Sequence, residues 1–211
     1  MASLLKKEIG AAGSTISENL VELTVICSAI LFLVLAEYHS FGERWSSALV
    51  FYVCLPVVTA LLLLRRNPLD FGLRLGDWRV WRLYVVATCF AALPILFAAS
   101  RVDSLESYYS LADFDLWEYF LQSLGYLTAW EFLFRGYLLF GLKNRFKEAS
   151  IFIQMVPFVL LHLGKPELET ISTIPMGLYL GYVAYRGNSC WPAVIIHIFI
   201  NVSFRILVNW L

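Results

Sequence analysis

Seven stretches of this chain, near residues 20–37, 46–64, 81–99, 116–142, 149–163, 171–185 and 190–211, are dominated by apolar residues. A helix rises 1.5 Å per residue, so about 20 such residues cross the hydrocarbon layer of a bilayer. The fifth and sixth stretches are short. The predicted fold is therefore all-α, a polytopic transmembrane helical bundle of about seven spans. The balance of residues agrees: 60% are apolar and only 15% charged, with a mean hydropathy of +0.71, against about 25% charged in ordinary soluble domains. Formal charge is zero, which gives no footing for a nucleic-acid partner. The bilayer itself is the expected surrounding.

Between the second and third stretches, residues 65–82 interleave Phe71, Leu73, Leu75, Trp78 and Trp81 with charges, a mixture suited to a segment lying at the headgroups. Lys6 and Lys7 precede the first stretch, with no clean small-residue cleavage site after it, so that stretch reads as a retained span. Basic residues set the orientation. With the N-terminus in the cytoplasm, that side receives Lys6, Lys7, Arg65, Arg66, Arg74, Arg79, Arg82, Lys143, Arg145, Lys147 and Arg186, and the outer side only Arg44, Arg101 and Lys165. The expected location is that of a multi-pass integral membrane protein with a cytoplasmic N-terminus, which in a bacterium would be the inner or plasma membrane. Four cysteines, Cys27, Cys54, Cys89 and Cys190, form no CxxC pair and read as small buried hydrophobes.

Ionisable side chains inside hydrocarbon are costly, and each one held there is a functional hypothesis. Glu131 and Arg135 stand four apart on one helix face, as a structural ion pair or a neutralised catalytic carboxylate. His162 follows Phe158 by four near the end of the fifth stretch. His197 and Asn201 again stand four apart, an arrangement that also serves as interhelical hydrogen-bond glue. Together these clusters hold a carboxylate, two imidazoles, an amide and a guanidinium on three spans. Hydrolysis of a peptide bond needs a base for water, an acid for the leaving amine and donors for the oxyanion. Convergence would supply all three. His162 lies at the outer end of its span, so convergence requires residues 164–170 to fold back as a broken, water-lined segment, with Gly164 and Pro166 as breakers.

At these residues the sequence resembles the CAAX protease and bacteriocin-processing family of intramembrane endopeptidases, which includes the eukaryotic CAAX prenyl endopeptidase. That family's pattern is Glu-Glu-x-x-x-Arg, Phe-x-x-x-His and His-x-x-x-Asn or Asp, in that order on separate helices. Glu131 and Arg135 match the second glutamate and the arginine, Phe158 and His162 the second motif, and His197 and Asn201 the third. The resemblance covers about residues 116–205. It implies a peptidase core over residues 116–211, preceded by N-terminal spans and an interfacial segment over 1–115 within one membrane domain. It further implies Glu131, His162, His197 and Asn201 as catalytic residues, with Arg135, Phe158 and Trp130 in support, and a membrane-inserted or lipid-anchored protein or peptide as substrate.

One position departs from the pattern. Trp130 stands where the family carries its first glutamate, the residue usually assigned to activate water. Either Glu131 takes over as the base, or the chain is a non-catalytic binding or immunity protein on the same fold. Two histidines and a carboxylate also make a zinc ligand set, but no His-Glu-x-x-His occurs. The resemblance implies a glutamate-type mechanism with no metal, zinc being the alternative.

Overall fold

The computed structural model describes Met1 and residues 13–211. Lys6 and Lys7, assigned above to the cytoplasmic side, lie outside the described residues. Among those described the chain is helical, with no strand. A short helical stretch at 13–18 precedes α1 (Leu20–Tyr38), α2 (Arg44–Leu62), α3 (Trp78–Ala99), α4 (Asp103–Tyr109), α5 (116–146), α6 (Ala149–Leu160), α7 (Glu167–Gly187) and α8 (Trp191–Trp210). Four of these, α1, α2, α3 and α8, are long and apolar enough to cross a membrane. α5 and α7 are as long but carry more charge, and α6 is apolar but short.

Much of this surface is apolar and left uncovered by protein. α3 buries a single residue, Trp81, and turns Leu83, Val86, Phe90 and Ile95 outward, with Phe90 74% exposed. In water such a face would be a severe aggregation liability; in hydrocarbon it costs nothing. Cys27 and Cys54 share this outward exposure, and only Cys190 is buried. The expectation of four buried cysteines is thus corrected, because an apolar solvent removes the reason to bury a small apolar side chain.

The connection between α2 and α3 is docked onto α5, α7 and α8. Phe71 is buried and stacks on Tyr137, with ring centroids 5.4 Å apart. Gly72 O accepts from Cys190 N at 2.8 Å, Asp77 N donates to Gly187 O at 2.8 Å, and Trp191 Nε1 donates to Leu73 O at 3.0 Å. The segment plugs one end of the bundle. Gly76 makes this possible: its φ is +62°, and a Cβ there would lie 2.1 Å from Gly187 O, so neither the backbone angle nor the space admits a side chain.

These contacts gather residues 65–82, Lys143 and Arg186 at one end, where Lys143 Nζ donates to Asn188 Oδ1 at 2.6 Å. Arg44, Lys165 and Arg205 gather around a cavity elsewhere in the bundle. The positive-inside bias then predicts that the plugged end is cytoplasmic. Cysteines introduced at Arg79 and Lys143 are expected to resist a membrane-impermeant thiol reagent in intact cells and to react after permeabilisation. Labelling from outside would invert the assignment.

Two helices are widened. In α2, residues Val50–Cys54 form a π-helical stretch just ahead of Pro56, and in α5 residues Phe132–Leu138 do the same directly after Glu131. Single π turns inside α-helices often accompany functional sites. In α5 every residue of that turn is buried, and it carries Arg135. The turn after α6 covers residues 161–166, with Gly164 at φ +91°, and helix resumes at Glu167. The break is therefore shorter than the 164–170 segment expected, and it begins earlier, so that His162 itself sits in the turn. Thr170 Oγ1 donates to the His162 carbonyl at 2.8 Å and ties the turn to α7.

Candidate active site

α5 presents two consecutive side chains in different directions, since neighbours on a helix point about 100° apart. Glu131 points into the protein. It is fully buried, and its Oε1 lies 3.1 Å from Arg135 Nη1 and 2.6 Å from His197 Nδ1. Its Oε2 has no partner. Trp130 points the other way, into a cavity of about 600 Å³ whose wall also holds His162, His197, Asn201 and Arg205.

Phe158 builds the floor between the two sides. The Arg135 guanidinium lies over its ring, 4.0 Å from the centroid, while the His162 and His197 rings lie 4.7 and 6.2 Å from it. Trp130 stands edge-on to His162 at 6.2 Å. The phenylalanine of the second motif thus separates the buried ion pair from the cavity and supports both imidazoles. Burial of Arg135 leaves Nε and Nη2 without acceptors, which the face of Phe158 partly offsets by cation–π attraction.

The hydrogen bonds fix the tautomers. A carboxylate only accepts, so the proton of the Glu131–His197 contact sits on His197 Nδ1, and in the neutral ring Nε2 carries the free lone pair. His162 Nδ1 faces the Phe158 carbonyl at 2.8 Å, so it too donates from Nδ1 and keeps Nε2 basic. Asn201 Oδ1 accepts from the Tyr119 hydroxyl, which commits the amide oxygen and leaves the Asn201 NH₂ as a donor.

The structure therefore brings His162, His197, Asn201 and Trp130 to one cavity and sets Glu131, Arg135 and Phe158 behind or beneath it. Glu131 was expected to line the cavity; it reaches it only through His197. Among the described residues no three His, Cys, Asp or Glu side chains come close enough together to hold a metal ion.

Several residues at this site escaped the sequence reading. Tyr119 and Tyr126 line the cavity from α5, about three turns and about one and a half turns before Glu131, and Arg44 caps Tyr126 with Nη2 3.1 Å from its hydroxyl. Tyr109 donates to Glu169 Oε2 at 2.6 Å. Burial, and then the adjoining Glu169 carboxylate, raises the Tyr109 pKa above the ordinary phenol range, so it remains a neutral donor. Tyrosines are common at membrane interfaces, and no spacing separates these from the rest. Arg205 had a legible signal: it stands four residues beyond Asn201 and eight beyond His197, on the same helix face.

Residues 112–203 match the family model described as Type II CAAX prenyl endopeptidase Rce1-like. Neither a search of curated proteins nor a search of solved structures returned a match.

Proposed function

We propose, from the Rce1-like domain that residues 112–203 constitute, that this integral membrane protein is an endopeptidase cutting a lipid-anchored or membrane-inserted polypeptide, with His197 as its base. The contact that carries this reading is His197 Nδ1 to the buried Glu131 at 2.6 Å, with the ring on the cavity wall. Glu131 acts through the imidazole: it fixes the tautomer and stabilises the imidazolium that forms when Nε2 takes a proton. Its role is positioning and electrostatic.

In the proposed reaction His197 Nε2 removes a proton from water as the water oxygen bonds to the scissile carbonyl carbon. The resulting oxyanion takes hydrogen bonds from the Asn201 NH₂, held in place by Tyr119. His197 then returns the proton to the amide nitrogen as the C–N bond breaks, giving a carboxylic acid and an amine. His162 Nε2 accepts from the second hydrogen of the same water. No metal is required by this scheme.

A wholly apolar groove of about 510 Å³ between α1 and α6 shares Leu33 and Leu161 with the polar cavity. It offers hydrocarbon beside the site, which suits a substrate bearing a lipid chain such as the prenyl group in the family's description.

The test is turnover of a prenylated, fluorescence-quenched C-terminal peptide by the purified protein in bilayer nanodiscs. His197→Ala should abolish it. Asn201→Ala is expected to lower kcat by about 10²- to 10³-fold, the usual effect of losing one oxyanion donor. Tyr119→Phe, which only releases the amide, should cost far less, and equal losses would show that Asn201 serves structure rather than the oxyanion.

One observation favours a second reading, a non-catalytic binding protein: the indole of Trp130 occupies the wall where the family carries its first glutamate. Trp130→Glu separates the two. A wild type without turnover that gains it on Trp130→Glu would assign the chain to the non-catalytic class, whereas turnover by the wild type that His197→Ala removes would retain the peptidase reading.

A further inference from the structure

His197 and Asn201 reach the cavity from α8, while α2 and α5 build another part of its wall. In α2, Pro56 has no N–H to give the Tyr52 carbonyl, and the helix widens just before it, with Leu55 N donating to Val50 O five residues back. Tyr52 stands in this widened turn. Its ring is edge-on to Trp130, with centroids 5.7 Å apart, and the residue is 7% exposed. Ser123, also 7% exposed, lines the same cavity from α5.

Several polar groups on this wall are spent. The Tyr119 hydroxyl donates to Asn201, Gln122 Nε2 donates to Glu118 Oε1 at 2.9 Å, and the Tyr126 hydroxyl accepts from Arg44. The Tyr52 and Ser123 hydroxyls are different. Among the described residues neither has a hydrogen-bond partner, and neither is sealed off as Trp130 Nε1 is. A serine inside a helix can return its hydroxyl to a carbonyl one turn back; Ser123 does not. Two residues buried over more than nine-tenths of their surface thus offer uncommitted O–H groups to whatever enters the cavity.

A polypeptide drawn into hydrocarbon brings carbonyls that lipid cannot satisfy. We infer that Tyr52 and Ser123 are positioning residues, each donating to a backbone carbonyl of the substrate segment beside the scissile bond, while His197 and Asn201 act on that bond from α8. The inference rests on the peptidase reading and names what aligns the substrate main chain. Such contacts read backbone and leave side chains unselected.

A hydroxyl without a partner adds nothing to the fold, which separates this role from a structural one. Tyr52→Phe and Ser123→Ala should leave the melting temperature unchanged or raise it, because neither strands a group in the protein. Tyr137→Phe is the control. That hydroxyl is paired with Ser28 Oγ at 2.8 Å, off the cavity wall, so its loss should lower the melting temperature and leave binding alone.

Binding of a fluorescent prenylated peptide to the His197→Ala protein in nanodiscs reads the contacts without turnover. Adding Tyr52→Phe or Ser123→Ala should weaken it about 3- to 10-fold, the scale of one neutral hydrogen bond. Replacing single backbone carbonyls near the scissile bond by thiocarbonyls, which accept more weakly, finds the partner of Tyr52: one such peptide should bind the parent less well and lose that deficit in Tyr52→Phe.

Unchanged affinity in Tyr52→Phe, or thiocarbonyl effects equal in parent and variant, overturns the inference. So does weakened binding accompanied by a fall in melting temperature like that of Tyr137→Phe. Unchanged affinity in Ser123→Ala alone removes Ser123 from it. Turnover whose KM neither substitution alters refutes the positioning pair and leaves the peptidase reading, whereas hydroxyl-dependent binding by a wild type that cuts nothing does the reverse.

Discussion

Glu131→Gln is expected to lower kcat by about 10³- to 10⁴-fold, the scale seen when the carboxylate behind a catalytic histidine is made neutral. Glutamine keeps the volume of glutamate but can present an NH₂ to His197 Nδ1. The imidazole would then accept at Nδ1 and carry its proton on Nε2, which leaves no base facing the cavity. Binding should change little, because Glu131 is not on the cavity wall and reaches it only through His197; the peptide should keep its affinity while turnover disappears. Stability should fall as well, since the buried Arg135 keeps its charge, loses its anion and retains only an amide oxygen as acceptor. The measurement is kcat beside peptide affinity and melting temperature. Turnover like that of the wild type would mean that Glu131 is only a structural partner of Arg135, and the histidine mechanism would go with it.

Helix positions were legible in the sequence because the solvent is apolar: long runs such as 20–37 and 81–99 need no amphipathic pattern to be recognised. The Rce1-like match over 112–203 likewise falls on the residues whose spacing carried the resemblance. What stayed hidden has a common physical cause. A polar plug such as residues 65–77 has no periodicity, and its docking depends on backbone groups at Gly72 and Gly187 that leave no mark in side-chain pattern. The direction of Glu131 is similar. A spacing of four places Arg135 on its face, but whether that face meets the cavity or the protein depends on the rotation of α5, fixed by packing of the π-helical turn against its neighbours. Trp130 carried the clue, since adjacent residues cannot share a direction.

Arg135→Ala is expected to lower stability by about 3 to 5 kcal/mol, the penalty for breaking a buried ion pair from one side. Arg135 is fully buried, and its guanidinium is the floor on which Phe158 rests. Truncation leaves the Glu131 charge with His197 as its one remaining partner and opens a void beneath the ring that supports both imidazoles. Loss of activity should therefore accompany loss of the fold. Arg135→Lys should recover only part, because an ammonium cannot lie flat on Phe158 while reaching Glu131. The double variant Glu131→Ala with Arg135→Ala should be more stable than the sum of the single losses, since neither charge is then stranded. Thermal midpoints of the four proteins in one lipid environment give the coupling. An Arg135→Ala protein that melts like the wild type yet fails to turn over would move Arg135 out of the scaffold and into the chemistry.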